Sequence, residues 1–476
     1  MPRFALIFVL FLLVNCSQPN KQAEINFAIA QAPLNLDPRY ATDAASERIN
    51  RLIYQPLVDF DTASKPKPVL ANWQIISDKQ YLFTLKPNRA QFHNQSALTA
   101  QDVKATYDSV MRLKDSAHAA EFANILSIKV INQNAVLFQL KLSDKHFAEK
   151  LIIGILPADL IVKNHDFAHH PIGNGTLKFV SWRSAIRLQR IKDQQIIVLT
   201  EVRDPTVRVL KLLRGEADLI QGDLPPELVK HLQNQPEIKV NTVKGANFSY
   251  LGLNMQQAAL QNLNVRQAIA YAIDRQAIID QVMVHNTRLA TTILPPEHYT
   301  NAGNAHFISY DYNPLKAKQL LLQAGVKLPL KLVYKTSTDA QRVRFATILQ
   351  AQMAQAGIDL QIKSLDWGTF FADVKKGNFQ LFGLTWVGIK TPEIYAKAFG
   401  SASFAPNGFN RGRYADADLD NLLTDENWQQ ATLRIHNQLP YIPLWYEGQF
   451  AAMQKNIKNY APKPDGNWDD LSIISK

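Results

Sequence analysis

The chain of 476 residues exceeds the roughly 250–300 residues at which a single hydrophobic core stops growing, so two or three domains are expected. With 46% hydrophobic and 20% charged residues, the composition is that of an ordinary globular protein. The net charge of +11 and pI near 9.4 come from dispersed basic residues with no block of like charges, which argues against nucleic-acid binding and is equally compatible with an anionic membrane surface.

The chain begins MPRFALIFVLFLLVNC: one early cation, Arg3, then an unbroken apolar run over 4–14. That run has the length of a signal h-region and falls short of the ~20 residues of a membrane span, so it reads as an export signal. Cys16, the single cysteine, closes it, and LVNC resembles a bacterial lipobox, which makes Cys16 the expected lipidation site. Asn15 departs from the small residue usual before such a cysteine. With no other thiol, neither an intramolecular disulfide nor a thiolate metal cluster is available, and stability must come from packing.

Beyond residue 24, alternating or β-branched segments predict strands at 25–30, 81–85, 135–140, 196–200, 238–243 and 358–363. A further strand is expected to run into Trp386. Helices alternate with them. Thr99 with Asp102 three residues later is a capping-box variant, and in DPTVRVLKLLRG Asp204 caps, Pro205 starts and Gly215 ends a helix. Asn313 to Gly325 repeats that grammar, and 265–273 presents one apolar face before Asp274 caps another helix reaching Met283. Such alternation predicts an α/β protein with mixed sheets. No repeat or Gly/Ser linker separates the domains, so the chain is expected to pass between them more than once.

Catalytic signatures are missing. There is no HExxH, GxSxG, Walker loop or paired CxxC. IGNGTL at 172–177 has two glycines of a dinucleotide fingerprint, but Lys178 stands at the third and a proline precedes it instead of a strand. His169 and His170 fit a solvated polar loop better than a metal site, because adjacent residues on a strand face opposite ways. Nothing demands an enzyme, a cofactor or a metal.

The remaining motifs have a collinear order: LDPRYATDAAS (36–46), IYQPLVDFD (53–61), PVLANW (68–73), YLFTLKPNRAQFHNQSALTAQDVKATYDSV (81–110) and PIGNGTLKFVSW (171–182). LLRGEADLI (212–220), YLGLNM (250–255), VRQAIAYAIDRQAII (265–279), AKQLLLQAG (317–325) and YIPLWYE (441–447) follow. In this order they resemble the family 5 extracellular solute-binding proteins, which deliver peptides and related solutes to ABC importers. The resemblance implies a two-lobed periplasmic-binding-protein fold with mixed sheets, discontinuous lobes and an extra small domain. Mapped by motif order, lobe one takes 24–42, 171–247 and 446–476, the extra domain 43–170, and lobe two 248–445. It also implies a monomer in the periplasm or cell envelope, lipid-anchored, whose lobes close over a peptide or peptide-like solute before docking on an ABC permease. Ligand contact with both lobes is what would favour the closed form.

Peptide-binding members often carry a tryptophan, two residues, then an aspartate for the peptide's amino group. Trp386 aligns with that tryptophan, but the aspartate position holds Ile389, with Lys390 beside it. An isoleucine cannot neutralise an ammonium, so a free amine should bind poorly unless a carboxylate arrives from elsewhere. Three ligand classes remain: a peptide with a blocked amino end, a non-peptide solute, and an anionic solute drawn by Lys390 and Arg411. Tyr250, Asn247 and Tyr40 are further lining candidates, and the passage at 416–431 is shorter than usual in the family. Against Trp386 as a pocket wall stands its reading as lobe core. An envelope enzyme and a sensing protein built on the same fold are the competing functions.

Overall fold

A computed structural model describes residues 23–61, 64–283, 286–296, 298 and 307–476. Cys16 and the leader lie outside the described residues.

Eleven strands among the described residues form one continuous mixed sheet. At its centre the strands Ile238–Leu253 and Tyr441–Gln454 run antiparallel along their whole length. Their register runs from Ile238 opposite Gln454 to Val243 opposite Gln449, slips, and resumes from Asn247 opposite Glu447 to Gly252 opposite Tyr441. On one side of the slip the sheet continues through Leu219–Gln221, Ile25–Ile29, Ile196–Glu201, Ile186–Arg190 and Leu177–Trp182. On the other it continues through Leu381–Trp386, Leu330–Ser337 and Ile358–Leu365. The two halves are the lobes, and the slip is where the chain passes between them.

The sequence predicts the first crossing strand over 238–243 only. The strand instead continues through an irregularity that bends it without ending it. Gly245 makes this possible: a Cβ there would lie 1.4 Å from the Glu447 carbonyl oxygen. Pro443, in the partner strand, is tolerated at a second slip, between Ser249 and Tyr250.

Period-two alternation divides the core of the first lobe. Phe27, Ile29, Leu219 and Met453 pack with Trp468, Leu471 and Ile474 on one face. Ala28, Ile220, Phe450 and Ala452 pack on the other beneath the helices Pro205–Leu213 and Pro226–Gln233. The caps expected from sequence form. Asp204 accepts from Val207 N, Asp274 from Ala277 N and Asn313 from Lys316 N, while Asp102 accepts from Thr99 N at 2.7 Å.

A separate antiparallel sheet, in the order Ala71–Ser77, Gln80–Leu85, Ala135–Leu140, Ile125–Asn132, packs on the helix Ala100–Arg112 through Phe83, Tyr107 and Phe138. Its cluster runs from Leu57 to Ile155. The expected break at 43 does not follow that core: Ile49, Leu52 and Ile53 of the helix Ala44–Ile53, with Leu156 and Phe167, pack with the first lobe. Motif order alone could not show this, because that helix is amphipathic and its partner strands lie far along the chain. Gly173 and Gly175 fit against the end of the same helix, where a Cβ would come within 2.1 and 2.2 Å of the Ile53 and Leu52 carbonyl oxygens. Close backbone approach explains the two glycines of IGNGTL. His169 is exposed in a turn, with Nδ1 3.0 Å from Asp166 Oδ2.

Candidate functional site

A cavity of about 420 Å³ opens between the two halves of the sheet, with Glu447, Gly448 and Gln449 at the crossing contributing to its wall. Four residues singled out from sequence meet there: Trp386, Ile389, Lys390 and Arg411.

Trp386 is the last residue of Leu381–Trp386 and pairs in register with Phe248. It is only 8% exposed and belongs to the second lobe's core, yet it also lines the cavity. The two readings of this tryptophan therefore describe different faces of one side chain. The Arg411 guanidinium carbon lies 4.6 Å from its ring centroid, a cation–π contact, and its indole Nε1 has no hydrogen-bond partner among the described residues.

Arg411 is 5% exposed and is held from behind. Nη1 donates to Tyr250 Oη at 3.3 Å, and the guanidinium carbon is 5.4 Å from the Phe371 ring centroid. The preceding Asn410 is buried and pins the backbone, donating from Nδ2 to the carbonyls of Gly400 and Tyr414 and accepting from Tyr414 N. No carboxylate among the described residues forms an ion pair with Arg411. A fixed, largely dehydrated cation facing a cavity is suited to a ligand carboxylate or another planar anion.

Lys390 differs. Its Nζ lies 2.8 Å from Asp465 Oδ2, contributed by the first lobe. Burial would raise the Asp465 carboxyl, but Lys390, helped by the Asn467 backbone N–H and Arg51, offsets it and holds the group below the ordinary range. The lysine expected to draw an anion is thus committed to bridging the lobes. Ile389 lines the cavity and packs partly on the second lobe's core.

Tyr250 is fully buried and stacked on Tyr441 at 4.2 Å. It lies outside the cavity lining and acts by positioning Arg411. Asn247 is buried at the crossing and Tyr40 lies beside Arg39; neither lines the cavity. Asn247 and Tyr250 were expected there from their place near a crossing strand and Tyr40 from its place just after the first strand, but Asn247 and Tyr250 are buried in the sheet and Tyr40 lies in a turn.

Sequence reasoning missed the acids. Glu447 accepts from Ser249 Oγ and, at 2.8 Å, from Thr385 Oγ1, while burial pushes its carboxyl upward. Glu47 also lines the cavity, its carboxyl raised by burial to about 7. Arg48, from the same helix, has its guanidinium carbon 5.4 Å from the Trp468 ring centroid and an unpartnered Nε. One signal was available: Glu447 is an acid at the end of the otherwise apolar YIPLWYE. The cavity thus presents a guanidinium and carboxyls together, and acids from elsewhere in the chain are present even though position 389 carries none.

The lobes are in contact around this cavity. Lys397 Nζ lies 2.6 Å from Glu121 Oε1 of the extra domain, and Arg344 Nη1 2.8 Å from Glu227 Oε1 of the first lobe. His118 meets Phe409 edge-on at 5.3 Å. This is a closed arrangement.

Comparison with known proteins gives the same architecture. The chain is similar to heme-binding protein A of Haemophilus influenzae, at 26% identity covering 92% of this chain and 90% of that protein. It is similar to the glutathione-binding protein GsiB of Escherichia coli, also at 26% identity, covering 95% and 94%. Among solved structures, the oligopeptide-binding protein AppA of Bacillus subtilis in complex with a nonapeptide superposes with a TM-score of 0.87 at 22% identity, covering 96% of this chain and 99% of that one. The model of the bacterial extracellular solute-binding proteins, family 5 Middle, matches residues 65–405, and the chain belongs to this family.

Proposed function

We propose that this protein is the solute-capturing component of an ABC importer and that its solute is a small peptide or peptide-like molecule bearing a carboxylate. Family membership supports the transport role, since its relatives are binding proteins named for glutathione, heme and oligopeptides. Arg411 carries the choice of solute: a buried guanidinium stacked on Trp386, without a carboxylate partner among the described residues. Glu447 and Glu47 supply carboxyls that an approaching ammonium would favour in their ionised form, so a zwitterion with a free amine fits the cavity despite Ile389. The protein captures and releases without turnover.

No helix among the described residues is long and apolar enough to cross a membrane. Delivery to a permease then calls for residence at the envelope, and lipidation at Cys16 after export would provide it. The proposed active form is a monomer, because one chain supplies both walls of the cavity.

Native mass spectrometry of protein purified without denaturation identifies the co-purifying solute, and titration of that solute into Arg411→Gln tests the assignment. Losing a buried, hydrogen-bonded partner should weaken binding by about 2 kcal/mol or more, roughly thirtyfold. A solute without an anionic group, or unchanged affinity in the variant, would overturn the reading.

A further inference from the structure

Where the extra domain meets the second lobe, four side chains converge, and two of them, Glu149 and Glu393, line the same cavity as Arg411. His146 and Glu149 belong to the extra domain, at and within the short helix Phe147–Lys150. Glu393 opens the helix Glu393–Phe399 of the second lobe, and Glu426 lies in the turn before Trp428–Gln438. Nδ1 of His146 is 2.9 Å from Glu149 Oε1, and its Nε2 is 3.5 Å from Glu426 Oε2. Donor atoms of His146, Glu149 and Glu393 all lie within 4.8 Å of one another.

Glu393 supplies an independent observation. It is 7% exposed, and its Oε2 has no hydrogen-bond partner among the described residues. A buried carboxylate oxygen left unsatisfied is costly unless a cation or donor meets it. The nearby lysines do not: Lys150 is paired with Asp144 at 2.5 Å and Lys397 with Glu121. Three carboxylates around one imidazole leave the cluster short of positive charge.

We propose that His146, through Nδ1, with Glu149 and Glu393 forms a divalent-metal site of the zinc class that ties the extra domain to the second lobe, Glu426 facing the other ring nitrogen as an outer partner. Zn²⁺ takes imidazole nitrogen and carboxylate oxygen at about 2.0–2.2 Å, which in a tetrahedron separates ligand atoms by about 3.3 Å. His146 meets Glu149 through Nδ1, at 2.9 Å, so Glu149 has to draw back by only a few tenths of an ångström, while the full set of three donor atoms, within 4.8 Å of one another, has to draw together around the ion. Because the ligands come from both sides of the cleft, the ion stabilises the closed form and raises solute affinity by population shift.

The test is independent of the solute assignment, because Zn²⁺ alone is the probe. Calorimetric titration of Zn²⁺ into the tag-free, solute-free protein should show one saturable equivalent. His146→Ala and Glu393→Gln should each weaken it at least about tenfold, the scale on which even outer partners of a metal matter. Thermal melts guard against misfolding: in chelator Glu393→Gln should melt as a single folded species, and Zn²⁺ should raise the melting temperature of the wild type but not of this variant. Absence of saturable binding, or binding unaffected by both substitutions, overturns the site. Solute titration of the Arg411 variant reports separately on the cleft.

Discussion

Ile389 and Arg411 show how a charge can be needed without being local. Position 389, three residues after Trp386, holds an isoleucine and offers a peptide amine no local acid. In three dimensions, acids reach the cavity from the crossing strand and from the helix Ala44–Ile53. Lys390 shows the converse, since its partner Asp465 comes from the opposite lobe. Sequence reveals which side chains can carry charge, but not which distant ones neutralise them. Lys390→Met should therefore weaken anionic and neutral solutes alike, through the closed state, whereas Arg411→Gln should selectively weaken anionic ones; parallel calorimetric titrations separate the two. Tyr250→Phe removes one hydrogen bond to Arg411 and should cost about 1 kcal/mol of solute affinity with near-normal folding, read by titration and circular dichroism.

The crossing strands are the least legible elements and the helix caps the most. Caps are local: Asp204, Asp274 and Asn313 announce themselves by residue type and spacing, and each accepts the expected backbone N–H. Asp204→Ala should lower unfolding stability by about 1 kcal/mol in denaturant titration and leave solute affinity unchanged. The crossing strands depend instead on pairing between segments about two hundred residues apart, an irregularity at KGAN and a proline inside a central strand, all of which local rules read as breaks. Gly245→Val should be severe, costing roughly 3 kcal/mol or more in the same assay, because its side chain would enter the Glu447 carbonyl.

At the scale of the whole molecule, α/β class and lobe exchange were legible from alternating elements and the lack of a linker. The placement of Ala44–Ile53 was not, because an amphipathic helix does not name its partner. Two buried carboxyls give opposite pH dependences. For Glu121 burial acts upward, but Lys397 and His118 outweigh it and hold the carboxyl at about 2. A depressed acid contributes stability that is complete above its ordinary value and is lost as pH falls towards 2. Lys397→Met should remove much of that acid dependence in melts between pH 2 and 5. Glu47, raised by burial to about 7, has the opposite sign: its contribution is full below about 4.5 and is lost as pH rises through 7. Glu47→Gln should gain on the wild type across that interval and then level off.

The strand Tyr441–Gln454 lies beside Ile238–Leu253 through both halves of the central sheet, and the segment after it supplies Trp468, Leu471 and Ile474 to the first lobe's core. Neither half can therefore finish before nearly the entire chain is present. A polypeptide emerging amino-end first can assemble the extra domain early, since its core is drawn from one continuous stretch, but both lobes must wait with their middles open. The same segment that forms the hinge in the folded molecule thus acts as the keystone during its biogenesis, exposing unpaired strand edges to any chaperone or protease until the last residues arrive.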